Sequence, residues 1–352
     1  MPGLSDGDLA AAMSAAEREQ REERAQHRLL RAARAQVAEL EQKVDLLTAL
    51  DGISVQRAEW AQPGSPRTRQ AGIANLLLSD LHLDEVVDPE EMRGKNAYNR
   101  VIALQRLHRV GANTVKMAKD YISGVSYDGL FVWVNGDVVS GNIHEELRRT
   151  NDAKDVIDSV DYWSDHLATL LVQLAECFGK VHVVTTPGNH GRNDKKPPAK
   201  GAVQSSFDWL AMRVVWRELR SDERFTWNIP NSLDVREQQY GTRYLMQHGD
   251  DFQGGDQIAG AVRPVMMGDY RTLTMEVVDG EPYDMMLVGH FHQYTTLPRA
   301  IINGSLKGYD EWAKRKKFRP EPPKQAFWIT TPEHGPSFHL PILPMDRDAE
   351  GW

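Results

Sequence analysis

Cysteine is almost absent from this chain. Cys177 is the only one in 352 residues, so no intrachain disulfide can form and a cysteine-rich structural zinc finger is excluded. That thiol sits in the apolar stretch LLVQLAECF and reads as a small core residue, not a nucleophile. No run reaches the roughly 18 consecutive apolar residues that a membrane span needs, and no membrane partner is expected. The N-terminus, MPGLSDGDLAAAM, lacks the basic start and apolar core of a secretory signal, so the expected location is cytoplasmic. Positive charge is not in excess either: 42 Lys and Arg against 50 Asp and Glu leave a net charge of −8. That balance argues against coating nucleic acid by charge alone, although a nuclease with a local basic patch stays open. There is no internal repeat and no long low-complexity tract.

What is present suits one large α/β domain with an appendage. A hydrophobic fraction of 41% and nine Trp residues suffice for a sizeable core. Residues 8–50 are rich in Ala, Glu, Arg, Gln and Leu and contain neither Pro nor Gly, which predicts a long helix. Leu30, Ala33, Val37, Leu40, Val44 and Leu47 are spaced in alternating steps of three and four, a short heptad seam. Val at a and Leu at d favour a second parallel copy, hence a homodimer through a coiled coil; packing on its own domain is the alternative. The expected division is a helical segment over 1–51, a linker over 52–71 around AQPGSPRTRQ, and a catalytic domain over 72–352.

Within that domain, strand-like and helix-like patterns alternate. ANLLLSD, LFVWVNGD, VHVVTTPGNH, TRYLMQHGD and YDMMLVGH read as strands, with helices predicted over VIALQRLHRVGANTVKMAKDYI and around Phe207 to Leu219. QAFWITT and SFHLPIL close the chain as further strands. Such alternation predicts an α/β sandwich around a mixed sheet.

The chemistry is concentrated where these strands end. In order come Asp80 and His82 in SDLH, Asp137 in NGD, Asn189 and His190 in GNH, His248 in QHGD, and His290 with His292 in GHFH. Open α/β sheets place ligands at strand ends. In DLH and HFH one residue separates the two polar groups, so on an extended segment they point the same way. Carboxylate, imidazole and amide oxygen suit borderline divalent ions such as Mn, Fe, Zn or Ni, whereas Mg or Ca would prefer more oxygen.

In its order DxH, GD, GNH, H, GHxH, spanning Asp80 to His292, the chain resembles the calcineurin-like metallophosphoesterases, including phage-encoded members labelled as repair exonucleases. The resemblance implies a four-layer α/β/β/α fold and two divalent metal ions, manganese first among them. It implies that Asp80, His82 and His292 hold one ion, that Asn189, His248 and His290 hold the other, and that Asp137 bridges both. His190 would not be a ligand and would act on the phosphoryl group or its leaving oxygen, with Arg192 offering a forked donor to phosphate oxygens. Many relatives carry an acid directly after GNH to orient the histidine. Gly191 stands there instead, so Asp84 or Asp194 is expected to take over that duty.

Other residues admit two readings each. Asn96, Tyr98 and Asn99 in RGKNAYNR either roof the site or cap a loop. His144 lies just beyond Asp137, where Asn142 and Glu145 resemble a helix-capping pair. Lys314, Arg315, Lys316, Lys317 and Arg319 form the one dense basic run, either a solvated helix face or a track for a nucleic-acid backbone. His27, His108, His166 and His182 lack a matching motif and are expected to be structural or exposed, and His334 and His339 have no assigned role. The expected function is two-metal hydrolysis of a phosphoester substrate, as a phosphodiesterase or nuclease acting on DNA or RNA. A phosphomonoesterase acting on a small molecule or phosphoprotein is the alternative, and a scaffold without catalysis the third reading.

Overall fold

The computed structural model describes residues 55–62, 70–253 and 260–352, together with Arg31 and Arg34. The chain divides into two units, Met1–Asp51 and Gly52–Trp352. Of the first, Arg31 and Arg34 are helical; the heptad seam lies outside the described residues. The second unit is mixed α/β.

Its first sheet has six strands in the order β11-β10-β1-β2-β3-β4. β1 (Ala71–Leu78), β2 (Ser126–Asn135), β3 (Val181–Thr186) and β4 (Phe225–Asn228) run parallel, and β10 (Gln325–Thr331) and β11 (Gly335–Ile342) add an antiparallel edge. β1 and β3 are buried along their whole length, which explains their unbroken apolar reading in place of a two-residue alternation. Between these parallel strands run the helices Arg100–Lys116, Val156–Phe178 and Phe207–Leu219, since a parallel return needs a long crossover. The first two begin at side-chain caps. Asn99 accepts from Ile102 N, and Asp155 accepts from Ile157 N and Asp158 N.

The second sheet has five strands in the order β5-β6-β7-β9-β8. β5 (Asp234–Gln239) and β6 (Thr242–Gln247) form a hairpin, and β6, β7 (Met285–Val288) and β9 (Ala300–Ile302) are parallel. β8 (Thr295–Thr296) pairs with β9 in the opposite direction. One core joins the two sheets: Ile73, Leu77, Phe131, Trp133, Val184 and Trp328 meet Tyr244, Met246, Leu287 and Ile301. Each such side chain contributes about 1.5–3 kcal/mol by leaving water. Leu245, Met286, Val288 and Ile302 pack with Val265 and Leu273 of the helix Val262–Asp279 in a second cluster.

Short or polar elements escaped the sequence reading. β4, β8 and β9 have four residues or fewer, β5 reads DVREQQ, and the helix Val262–Asp279 exposes Met266, Tyr270, Met275 and Val278. Residues 55–62, expected as linker, belong to the folded unit. Val55 bridges Asn228, Gln56 N donates to Trp227 O at 2.7 Å, and Tyr240 N donates to Ala61 O at 2.7 Å. Ala58 and Ala61 are fully buried, and the Trp60 ring meets Phe131 edge-on at 5.6 Å. Gly129 makes room for it, because a Cβ there would lie 2.5 Å from the indole. Nearby prolines and polar residues masked this apolar EWA turn in the composition.

A boundary test follows from that packing. Deleting residues 1–50 should leave the melting temperature of the second unit unchanged. Deleting 1–65 also removes Trp60 and its neighbours, which costs about 2–3 kcal/mol and should lower the transition by roughly 5 °C or more. Equal calorimetric transitions for the two truncations would show that the Trp60 turn adds nothing.

Candidate metal centre

Every motif residue lies just past the C-terminal end of a parallel strand. Asp80 and His82 follow β1, Asp137 follows β2, Asn189 and His190 follow β3, His248 follows β6, and His290 and His292 follow β7. The loops are laced to one another through their main chains. Asp80 N donates to Gly136 O at 3.2 Å, His82 N to Asp137 O at 3.0 Å, and Gly289 N to His248 O at 3.0 Å. Across the two sheets, Asn303 Nδ2 donates to Ser79 Oγ at 2.9 Å and Asn135 Nδ2 to Gln247 O at 3.0 Å.

This lacing bends the backbone into an unusual region. Asp80 (φ 53°), His82 (47°), Asp137 (49°), His290 (65°) and His292 (56°) all adopt positive φ. Asp and His tolerate that region better than most residues, but each such position still costs about 1–3 kcal/mol. The expectation that DLH and HFH lie on extended backbone is therefore corrected. Their pairs converge because two left-handed residues turn each loop back on itself.

Three groups of side chains lie within ligand distance of one another: Asp80, His82 and His292; Asp137, His248 and His290; and His82, Asp137 and His190. Asn189 Oδ1 stands 3.1 Å from His248 Nε2 and 2.9 Å from His290 Nδ1, joining the second group. Asp137 Oδ2 lies 3.1 Å from His248 Nε2 and 4.0 Å from His82 Nε2, so one carboxylate faces both clusters. Asp80, His82, Asp137 and His248 are at most 2% exposed, whereas His292 reaches 29%. The floor is dry and the rim is open.

The donor chemistry fits cations. His248 Nδ1 points at Asn135 O, 2.9 Å away, so a proton sits there. Its Nε2 faces the oxygens of Asp137 and Asn189, to which it donates when protonated and beside which its lone pair would be free for a cation when neutral. His82 Nδ1 points at Glu85 Oε2, 3.4 Å away, and its Nε2 faces His292 Nε2 at 3.0 Å. Lone pairs crowded in this way repel unless a proton or a metal ion lies between them. Without a cation the strain falls on the titrating groups. Burial would lower the His248 pKa, but the Asp137 charge outweighs it and holds the imidazole well above its ordinary value. Burial likewise opposes ionisation of Asp137, and the imidazoles of His248 and His190 outweigh it, holding the carboxyl well below its usual range. His82 is driven well below its ordinary value by burial and then by the Lys307 charge, and burial and His248 pull His290 down to about 4.

His190 lies at the rim, its main-chain N donating to Asp137 Oδ1 at 2.7 Å. Its ring packs edge-on against His82 at 4.7 Å, and Nδ1 faces Ser140 O at 3.3 Å. Burial depresses its pKa, with Asp137 pulling the other way, which favours the neutral ring. Asp84 and Asp194, expected to orient it, do not. The Asp84 carboxylate accepts from Arg100 Nε, from Ser159 Oγ at 2.6 Å and from Trp163 Nε1 at 2.7 Å. Asp194 offers its main-chain oxygen to Arg192 Nε at 2.9 Å. The orienting acceptor is a backbone carbonyl, which no side-chain pattern announces.

The remaining expectations resolve individually. Arg192 lines a cavity with Asn189 and His248, but its Nε and one Nη are engaged by carbonyls of its own loop. Asn96 and Tyr98 are buried beneath the site, not above it; Asn96 Nδ2 donates to Lys307 O and Tyr98 OH to Leu81 O at 2.7 Å. Asn142 and Glu145 form no cap, since the short helix Leu147–Thr150 begins at Glu146 without a side-chain bond. His144 is exposed, 5.3 Å from the His190 ring. His182 is structural, held between Thr226 and Glu237. His108 and His334 are exposed, His166 and His339 are half-buried, and His27 lies outside the described residues.

Five supporting residues carry no motif. Glu85 joins His82, Ser140 and the buried Lys307, whose Nζ lies 2.6 Å from both Glu85 and Asp310. Asp208, at the start of the helix Phe207–Leu219, is buried against the loop of Asp137. Burial, and then the Asp137 charge, raise its pKa to about 6 against the pull of the Gly188 and Val139 amides.

Comparison with known proteins is sparse. No protein-family profile and no curated protein matches the chain. Among solved structures, vacuolar protein sorting 29 from Cryptosporidium parvum is 14% identical with a TM-score of 0.31, covering 73% of this chain and 85% of that one. The sulfate thiohydrolase SoxB from Thermus thermophilus is 11% identical with a TM-score of 0.31, over 81% of this chain and 58% of its own. A protein of unknown function from Aquifex aeolicus is 12% identical with a TM-score of 0.29, over 66% and 89%. Overlaps this slight establish neither fold nor chemistry. What stands on geometry is a pair of His/Asp clusters able to hold metal ions.

Because Asp137 faces both clusters, Asp137→Asn should lower bound metal by more than one equivalent per chain, the amide offering one weak acceptor in place of two charged oxygens. Elemental analysis after dialysis reads this directly. Undiminished metal content would remove the bridging role.

Proposed function

We propose that this chain is a metal-dependent phosphoesterase of the calcineurin-like kind, with helices on the outer faces of its two facing sheets as a four-layer fold. The observation that carries the reading is one buried carboxylate, Asp137, shared between two clusters of lone pairs pointed at each other. Asp80, His82, Asp137 and His292 would hold one divalent cation, and Asp137, Asn189, His248 and His290 a second, manganese being our first choice. Bound there, such a pair supplies Lewis acidity at a phosphoryl oxygen and makes water acidic enough to attack near neutral pH.

The protein's own part is positioning and proton transfer. His190, held by Ser140 O at Nδ1 and by its main-chain bond to Asp137, would use its other ring nitrogen to accept or return a proton at the attacking or leaving oxygen. Arg192 lines the adjoining cavity, and its nitrogen not engaged by its own loop would contact phosphate oxygens.

For the substrate we favour a phosphodiester of DNA or RNA. In the cavity beyond His248 that Arg192 enters, Asp234, Asp250 and Asp251 outnumber that one cation and would disfavour a polyanion extending along it. On the opposite side, Gln293 and Tyr294 directly follow His292 and share a cleft with Phe318, Arg319 and Lys324. That cleft combines aromatic and cationic groups of the kind a single strand uses, with Glu321 paired to Lys324 at 3.2 Å, and the basic run 314–319 leads into it.

A panel of a generic phosphodiester, a phosphomonoester, and single- and double-stranded DNA, each with manganese, tests the assignment. Diester and DNA cleavage are expected. Exclusive monoester turnover would select the phosphatase alternative, and no turnover on any would leave a scaffold. Replacing Lys314, Arg315, Lys316 and Lys317 by Gln should weaken DNA cleavage in a salt-dependent way, most at low salt, while sparing the small diester. His190→Gln should keep its metal while kcat falls by roughly 10²–10⁴. Metal loss in that variant would make His190 a ligand, in line with its place beside His82 and Asp137.

A further inference from the structure

Asp208 is 1% exposed and makes no ion pair among the described residues, yet its carboxylate accepts four main-chain N–H groups. Oδ2 takes Asp137 N at 2.9 Å and Gly188 N at 3.0 Å; Oδ1 takes Val138 N at 3.0 Å and Val139 N at 3.2 Å. Three of these amides belong to the loop of Asp137 and the fourth to the loop of Asn189 and His190. The two loops also meet through His190 N on Asp137 Oδ1 and through the close backbone approach of Gly136 to Gly188. Among the described residues, Asp208 is the one side chain that takes main-chain amides from both. The residue itself arrives from a helix twenty positions further along the chain.

Gly191 bears on the same point. Its φ is not positive, so glycine is not there for its conformational freedom. It is there for space: a Cβ at 191 would lie 2.4 Å from Asp208 Cγ and 2.5 Å and 2.7 Å from its two oxygens. A side chain at 191 and the carboxylate of Asp208 therefore compete for one spot, the one that faces the four amides.

We infer that Asp208 is the positioning residue of the metal centre, a carboxylate clamp across the Asp137 and Asn189 loops, and that Gly191 is the vacancy that admits it. The inference rests on the metal-dependent reading of the site. It also implies interchange: an acid at 191 should serve in place of one at 208, but not beside it.

The test uses the full-length protein and three variants: Asp208→Ala, Gly191→Asp, and the two combined. Ala suits the first turn of the helix, so that substitution leaves the helix intact. Amide exchange in the metal-free protein and Mn(II) titration by calorimetry are both read. Asp208→Ala should speed exchange at residues 137–139 and 188 by about tenfold or more and weaken Mn(II) binding about 10–100-fold. Gly191→Asp alone crowds the clamp and should lose Mn(II) affinity too, whereas the combined variant should recover slow exchange and most of the affinity. A merely space-filling role predicts no such recovery. Unchanged exchange in Asp208→Ala, or a combined variant no better than it, would overturn the inference. A wild-type protein that takes up no Mn(II) would defeat the metal reading and the positioning role with it, while the exchange data would still report whether the clamp exists.

Discussion

The site depends on keeping lone pairs and negative oxygens closer together than they would choose. Asp137 is the centre of that constraint. Its Oδ1 is tied to His190 N, its Oδ2 faces imidazoles from two other loops, its carbonyl accepts from His82 N, and its own N–H is held by Asp208. In water each oxygen would be hydrated. Here they are dry, and the desolvation is offset by directed N–H donors beneath and would be further offset by cations above.

The strain this requires is supported from below. Five candidate ligands with left-handed backbone would relax if their loops were free to move. They do not, because each loop leaves a strand that is buried on both faces and is then bonded to the next loop through main-chain groups. The shared core of Trp133, Tyr244, Trp328 and their neighbours joins the two sheets, and with them the clusters that each sheet carries. Polar bridges at the strand tips, among them Asn303 to Ser79 and His248 to Asn135 O, transmit that rigidity to the ligands.

The surroundings of the centre are unsymmetrical. Three carboxylates and Arg192 border the His248 side, while aromatic groups, Arg319, Lys324 and Glu321 border the His292 side. For the polyanionic substrate proposed above, that asymmetry would favour one side over the other without any base-specific contact. The acidic overall balance of the chain then matters less than the placement of a few side chains.

Much of this was legible in the residues themselves. Unbroken apolar runs ending in SDLH, NGD, GNH, QHGD and GHFH marked both the principal strands and the groups at their tips, because burial imposes one residue type and a cluster able to hold metal ions another. Other features were decided only by the folded chain. Local pattern missed β5 because its DVREQQ sequence is polar, and it took residues 55–62 for a linker although Trp60 is seated over Gly129. Extended spacing was the wrong reason for the convergence of DLH and HFH, which follows from left-handed backbone imposed by neighbouring loops. The acceptor for His190 is a main-chain carbonyl and the clamp on Asp137 comes from position 208, and neither leaves a trace in its own stretch of sequence. A residue's type is set by what it must be, and that much is written locally; what it must touch is set by chain segments distant in sequence, which meet only when the sheets close.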